Sequence, residues 1–230
     1  MRTFIREVSG KTPKNKGVTL MTENIKVLIH SSIRIETEKG IVYIDPFKIE
    51  GTPKDADIIL ITHDHYDHFS PDDIVKIAKE DTVMAVPEKM ADKASIVGNN
   101  IASTVTVEPG GSYEIRGLKV ETVPSYNILK PFHPKSARWV GYILQDKDER
   151  IYIAGDTDLN EDIMKVSCDI ALVPVGGTYT MNPKTAANLV NMINPKVAIP
   201  THYGSVVGSA EDGEKFAKLV NDPVKVEILL

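Results

Sequence analysis

A single cysteine in 230 residues excludes an intrachain disulfide and fits a reducing compartment. Cys168 is expected to be a small buried residue between Val166 and Ile170. No apolar run approaches the roughly 18 residues that a membrane-spanning helix needs, so no membrane partner is expected. The basic start, Met1-Arg2-Thr3-Phe4-Ile5-Arg6-Glu7, is not followed by the apolar stretch of a secretory signal. Together these point to the cytoplasm. A net charge of −5 gives no general attraction to phosphate backbones, and no nucleic-acid partner is expected. Hydrophobic content of 42% and charged content of 26% are ordinary for a globular chain long enough to bury a substantial core.

Histidine is also scarce, six in all, yet three of them fall within Thr62-His63-Asp64-His65-Tyr66-Asp67-His68. Neutral imidazole is the commonest protein ligand for zinc and similar metals, and carboxylates complete or bridge such sites. His63, His65, Asp67 and His68 form an H-x-H-x-D-H pattern, which marks a metal site. The preceding Asp57-Ile58-Ile59-Leu60-Ile61 reads as a strand buried on both faces. After it, Ser70 as N-cap, Pro71 as first helical residue and Asp73 in the first turn predict a helix start. The histidines therefore belong on a loop at the carboxyl end of a buried strand, the usual ligand position in layered α/β folds. On extended backbone His63 and His65 project to one side. His68 falls in the opposite phase, which suits a second metal, and Asp67 could serve either.

Residues 1–22 lack clear periodicity, carry the turn-rich Lys11-Thr12-Pro13-Lys14-Asn15-Lys16-Gly17, and read as an N-terminal arm. Residues 23–230 read as a single domain. Strands are predicted at Ile25–Ile29, Ile33–Glu36 and Ile41–Ile44, then helix Pro71–Lys79, strand Thr82–Ala85, helix Glu88–Ile96 and strand Thr104–Val107. A second meander, Ser112–Ile115, Leu118–Val123, Val140–Leu144 and Ile151–Ala154, leads to strand Ile170–Val173 and a helix over Pro183–Met192. Strand Val197–Ile199, a helix over Ala210–Leu219 and strand Val224–Leu229 complete the chain. Each half is a β meander followed by alternating strands and helices. Two such halves predict an α/β fold of four layers, an αββα sandwich with two sheets face to face and helices outside.

Three later sites lie on loops next to predicted strands. They are His133 before strand Val140–Leu144, Gly155-Asp156-Thr157 after Ile151–Ala154, and Thr201-His202-Tyr203-Gly204 after Val197–Pro200. This ordered set, with the heptapeptide, resembles the metallo-β-lactamase superfamily over roughly residues 24–230. Val42-Tyr43-Ile44-Asp45-Pro46-Phe47 and Val173-Pro174-Val175-Gly176-Gly177 are similar to the branch containing ascorbate phosphate lactonase and other metal-dependent hydrolases. That family's fold is the αββα sandwich. The resemblance implies two divalent metal ions, with His63, His65 and His133 ligating one, Asp67, His68 and His202 the other, and Asp156 bridging both. Zinc suits these donors, and manganese or iron are alternatives.

The implied activity is a binuclear, metal-dependent hydrolase. A hydroxide between the metals attacks a small ester, lactone or phosphodiester, and Asp67 orients the water or receives its proton. The partner is then a small-molecule substrate. A diiron redox protein or a nuclease of the same superfamily are the alternatives. The redox branch carries Glu where this chain has His65, and nucleases carry an added domain or insertion that this compact acidic chain lacks. Asp45 is a candidate hydrogen-bond acceptor for a metal-bound histidine. His30 is either near the site or a core histidine. Tyr126, Asn127, Lys130, Lys135 and Arg138 flank His133, where the cations could hold a phosphate or carboxylate. Thr178-Tyr179-Thr180-Met181 is a candidate pocket wall.

Overall fold

The computed structural model describes residues 21–230. Most of the predicted N-terminal arm thus lies outside the described residues; its end enters a 3-10 turn at Met21–Asn24. A six-stranded sheet follows chain order: β1 Ile25–Ile29, β2 Ser32–Thr37, β3 Gly40–Ile44, β4 Ala56–Leu60, β5 Ala78–Pro87 and β6 Ser103–Val107. Strands β1 to β3 are antiparallel, and β3 to β6 are parallel. The seven-stranded second sheet repeats that plan. Its antiparallel part comprises β7 Ser112–Ile115, β8 Leu118–Pro124, β9 Val140–Asp146 and β10 Glu149–Ile153. From β10 it continues in parallel through β11 Ile170–Pro174, β12 Val197–Thr201 and β13 Lys225–Val226.

Period-two alternation sorts the apolar residues into layers. In β11, Ile170 and Leu172 face the opposite sheet, whereas Ala171 and Val173 face the helices. Ile58 and Leu60 of β4 likewise point inward to meet residues such as Tyr142, Leu144 and Ile199, while Ile59 points outward. The helices α1 Pro71–Ile77 and α2 Ala91–Ala94 are on the first sheet's outer face, and α3 Pro183–Ile193 and α4 Asp212–Ala217 on the second's. Three apolar interfaces separate four layers, which is the αββα sandwich. Burying each Ile or Leu stabilises the fold by about 1.5–3 kcal/mol. That burial is what supports α2, whose four residues are far too few for an isolated helix; Met90, Ala94 and Val97 are all buried there.

Local chemistry trims several elements. The predicted helix Pro71–Lys79 stops at Ile77 because Ala78 already pairs with Ala56 in the sheet. Ser70 stands at the N-cap position without capping. Its hydroxyl donates to Asp73 Oδ2 at 2.8 Å, and the Asp73 carboxylate accepts the main-chain N–H groups of Lys48 and Ile49. The loop after β3 is thereby tied to α1. Helix Glu88–Ile96 breaks into a 3-10 turn, α2 and further 3-10 turns interrupted by Gly98. The last strand shortens to Lys225–Val226, paired on one side only with Val197 and Ala198. Cys168 is half-buried against the outer cluster of the second sheet, and burial pushes its thiol up to about 12, so it is no nucleophile at neutral pH. No helix among the described residues is long and apolar enough to cross a membrane.

Candidate metal centre

The carboxyl ends of β4, β10 and β12 open on one edge of the sandwich. They deliver the 62–68 loop, Asp156 and His202 there, and the segment between β8 and β9 brings His133. The sheets are stitched together at this edge. Tyr142 OH donates to Ile61 O at 2.7 Å, Val140 N to Thr62 O at 3.2 Å, and His202 N to His30 O at 2.9 Å. Gly155 sits so close to Thr62 that a Cβ would lie 3.1 Å from the Thr62 Cβ, and its φ of +64° also favours glycine. Gly176 has a similar reason, since its Cβ would fall 2.2 Å from His202 O. Within the heptapeptide, His68 N and Phe69 N both donate to His65 O, so the chain turns and splits its ligands into two directions.

Two clusters result, with a third grouping of Asp45, His63 and His68 spanning them. The donor atoms of His63, His65 and His133 lie within 4.8 Å of one another, and so do those of His30, Asp67, His68 and His202. Asp156 stands between them. Its Oδ2 is 3.0 Å from His202 Nε2, 3.4 Å from His133 Nε2 and 4.0 Å from His63 Nε2, and its Oδ1 is 3.3 Å from His68 Nε2. All seven residues expected as ligands are therefore gathered here, and His30 joins them. His68 Nε2, His202 Nε2 and Asp156 Oδ1 are buried without a hydrogen-bond partner. Leaving such atoms unsatisfied costs about 1–3 kcal/mol each, which coordination to a cation would offset. Imidazole nitrogens and a carboxylate, orphaned and convergent, fit a divalent metal.

The far side of each ring explains why these nitrogens face inward. His68 Nδ1 lies 2.7 Å from Asp45 Oδ2, so Nδ1 carries the proton and Nε2 is presented to the site. Thr62 fixes Asp45 in turn through its N–H at 2.8 Å and its hydroxyl at 2.6 Å. Having donated its only proton, that hydroxyl accepts from His63 Nδ1 at 2.9 Å. His133 Nδ1 donates to Asn127 Oδ1 at 3.0 Å, and Asn127 Nδ2 donates to Tyr179 O at 2.9 Å, which fixes the amide. His30 Nε2 donates to Asp67 Oδ2 at 3.2 Å. Asp45 is thus the acceptor suggested by its sequence position, and His30 belongs to the site.

Electrostatics separates the clusters further. Burial would lower the His68 pKa, but Asp156, Asp45 and Asp67 outweigh it and raise the group to about 9. Burial, with His68 nearby, holds His63 well below its ordinary value, and burial with His133 lowers His65. Burial opposes ionisation of Asp156, yet His202 and His68 hold its carboxyl well below the usual range. Asp67 is likewise lowered, chiefly by the His30 hydrogen bond acting against burial.

Backbone conformation adds a signal that the sequence does not carry. His30, Asp45 and His202 adopt φ of +56°, +46° and +59°, a region that non-glycine residues seldom occupy and that clusters at functional sites. Thr62 opens the heptapeptide and Asn127 lies in the segment before His133, but their role in holding ring nitrogens had no signal in the sequence. Trp139, the chain's sole tryptophan, packs its ring 5.0 Å from His63 and His65 and 5.3 Å from His133. A cavity of about 420 Å³ opens over His65, Asp67 and Asp156, with Tyr66, Phe132, Tyr179, Val206 and Val207 as its walls. Tyr179 makes the predicted wall. The cations beside His133 are engaged elsewhere: Lys130 with Asp158 at 2.7 Å, Lys135 with Asp162 at 3.2 Å and Arg138 with Glu108 at 3.1 Å.

With this geometry in view, the comparisons with known proteins are specific. A family model described as a beta-lactamase superfamily domain matches residues 24–202. A metal-dependent hydrolase of Thermococcus onnurineus is 35% identical over 219 residues, covering 89% of this chain and 95% of the relative. One of Methanopyrus kandleri is 32% identical, over 87% and 93% of the two chains. Among solved structures, a chain from Parabacteroides distasonis named for the same activity superposes with a TM-score of 0.75 at 31% identity, covering 89% of this chain and 91% of that one.

Proposed function

The chain belongs to the metallo-β-lactamase superfamily, and on that premise we propose that it is a hydrolase working with two divalent metal ions, zinc by donor preference. Its substrate is a small ester, lactone or phosphodiester. The observation that carries the reading is Asp156, whose two oxygens reach both histidine clusters. His63, His65 and His133 would hold one cation, Asp67, His68 and His202 the other, and Asp156 both. Bound there, such a pair supplies a water of lowered pKa and polarises the scissile bond.

The chain's own residues prepare the rest. Asp67 is ionised, lines the cavity and is the candidate to take a proton from the attacking water. His30 orients it by occupying Oδ2. Asp45, Thr62 and Asn127 fix the tautomers that turn imidazole lone pairs inward. Metal analysis and an ester, lactone and phosphodiester panel test the reading on wild type and Asp67→Ala. About two metal equivalents per chain are expected, with hydrolysis abolished by chelation, restored by metal, and lost in the variant. Full metal occupancy without hydrolysis of any panel member would sink it.

A further inference from the structure

We infer that the substrate is an uncharged carboxylic ester or lactone carrying an apolar group, seated among Tyr66, Phe132, Tyr179, Val206 and Val207. The inference rests on the hydrolase reading and narrows it. These five side chains wall the cavity whose floor holds His65, Asp67 and Asp156, so a group bonded to the reacting carbonyl has to lie against them. Phe132 and Tyr179 meet edge to face, with ring centroids 4.7 Å apart and planes at 90°, which builds a firm aromatic wall. Tyr66 is 67% exposed and Phe132 44%. Large apolar side chains exposed beside a reactive cavity mark a surface that a ligand covers.

Charge supports the same reading. Among the described residues no lysine or arginine lines the cavity. The nearby candidates are already committed: Lys130 to Asp158 and to Thr180 O, Lys135 to Asp162, Arg138 to Glu108, and Lys93 to Asp64. An anionic group remote from the scissile bond would enter an apolar wall with no partner, and desolvating an unpaired charge is costly. A volume of about 420 Å³ sits in the lower part of the range for small-molecule sites, so the apolar group is of modest size. In the reaction, water oxygen bonds to the carbonyl carbon and the ester C–O bond breaks. One water proton goes to the departing alcohol and the other leaves with the acid, by way of Asp67.

The test uses the metal-loaded full chain and p-nitrophenyl esters. From acetate to hexanoate, kcat/KM is expected to rise about fourfold per added methylene until the cavity is filled. Mono-p-nitrophenyl adipate, which matches hexanoate in length but ends in a carboxylate, is expected to be at least about tenfold poorer. Phe132→Ala and Tyr179→Ala should flatten the chain-length series, and Val207→Arg should narrow the gap between hexanoate and adipate. Binding of methyl hexyl ketone and of its terminally carboxylated analogue, measured by NMR titration, reads the pocket without turnover. A flat series, an adipate preference, or faster cleavage of bis(p-nitrophenyl) phosphate overturns the inference. If no carboxylic ester, lactone or phosphodiester is cleaved but the neutral ketone binds the more tightly, the pocket assignment stands and the hydrolase reading falls. If neither ketone binds, the assignment falls as well.

Discussion

The two halves of the centre are built from the same ligand chemistry but supported differently. His63 and His133 are braced by neutral groups, the Thr62 hydroxyl and the Asn127 amide. His68 is braced by the carboxylate of Asp45, and Asp67 by the ring of His30. The first cluster includes half-exposed His65 beside the cavity, whereas His30, Asp67, His68 and His202 are all buried. With no carboxylate brace on either ring, burial stays in control, so His63 and His65 are easily deprotonated. The carboxylates of Asp156, Asp45 and Asp67 together make His68 a stronger base and a stronger ligand, at the cost of a proton that has to leave first. One cluster is poised to accept a cation at neutral pH; the other exchanges a proton for it. Trp139 touches only histidines of the first cluster, which makes its fluorescence a reporter for that half.

The largest effect comes from removing what the halves share. Asp156→Ala deletes the carboxylate between the clusters and leaves His68, His133 and His202 facing one another. A loss of several kcal/mol in transition-state stabilisation, at about 1.4 kcal/mol per tenfold, predicts a fall in kcat/KM on the order of 10³-fold. Metal analysis should show both equivalents weakened. Retention of both at wild-type affinity would mean that Asp156 is structural.

Asymmetry is next. Asp45→Asn removes the charged brace from His68, and Asn127→Leu removes the neutral brace from His133. Each should weaken one cation by roughly 10–100-fold and spare the other. Titrations followed by Trp139 fluorescence and by total bound metal separate the cases. Asn127→Leu should shift the fluorescence phase, and Asp45→Asn should shift only the phase that fluorescence does not see. A common shift in both phases with either variant would mean that the clusters load as one unit.

Protons sharpen the contrast. With His68 raised to about 9, binding in the second cluster should release a proton at neutral pH, and its affinity should rise about tenfold per pH unit up to that value. Above about 9 the dependence should flatten. His63 and His65 are lowered from 6.5, so the first cluster should show no such slope above neutrality. The same shift acts on the metal-free fold. A raised His pKa stabilises it fully below about 6.5, and that contribution is lost as pH rises through about 9. Chelated protein should therefore lose melting temperature across this window while loaded protein does not. A flat proton-release profile would mean that Asp156, Asp45 and Asp67 do not hold a proton on His68.

The parts of this centre that were legible in the sequence are those the chain keeps close together. His63, His65, Asp67 and His68 are contiguous, and the apolar run before them announces a buried strand. Asp156 lies three residues after β10 and His202 directly after β12, whose apolar runs announce strands. The layers were legible because continuous apolar runs such as Ile170–Pro174 mark strands buried on both faces. Braces were harder to read. Asp45 meets His68 across 23 residues, His30 meets Asp67 across 37, and only the fold sets those contacts. Lys130 and Arg138 looked available because sequence does not reveal that Asp158 and Glu108 lie beside them. Helix ends misled where a sheet competed for the same residues, as at Ala78.

The smallest predicted effect tests whether the halves are independent at all. Thr62 braces His63 and also holds the brace of His68, accepting from His63 Nδ1 and donating its hydroxyl to Asp45. Thr62→Val keeps the shape and the main-chain N–H to Asp45 but removes both side-chain bonds. At about 1 kcal/mol for each hydrogen bond, each cluster should lose roughly fivefold in metal affinity. If Thr62 only braces its neighbours separately, Thr62→Val combined with Asp45→Asn should add in the first cluster and be less than additive in the second, where the same bond is lost twice. Non-additivity in the first cluster as well would show that the hydroxyl transmits the state of His68 to His63, and the two halves would then be one cooperative centre.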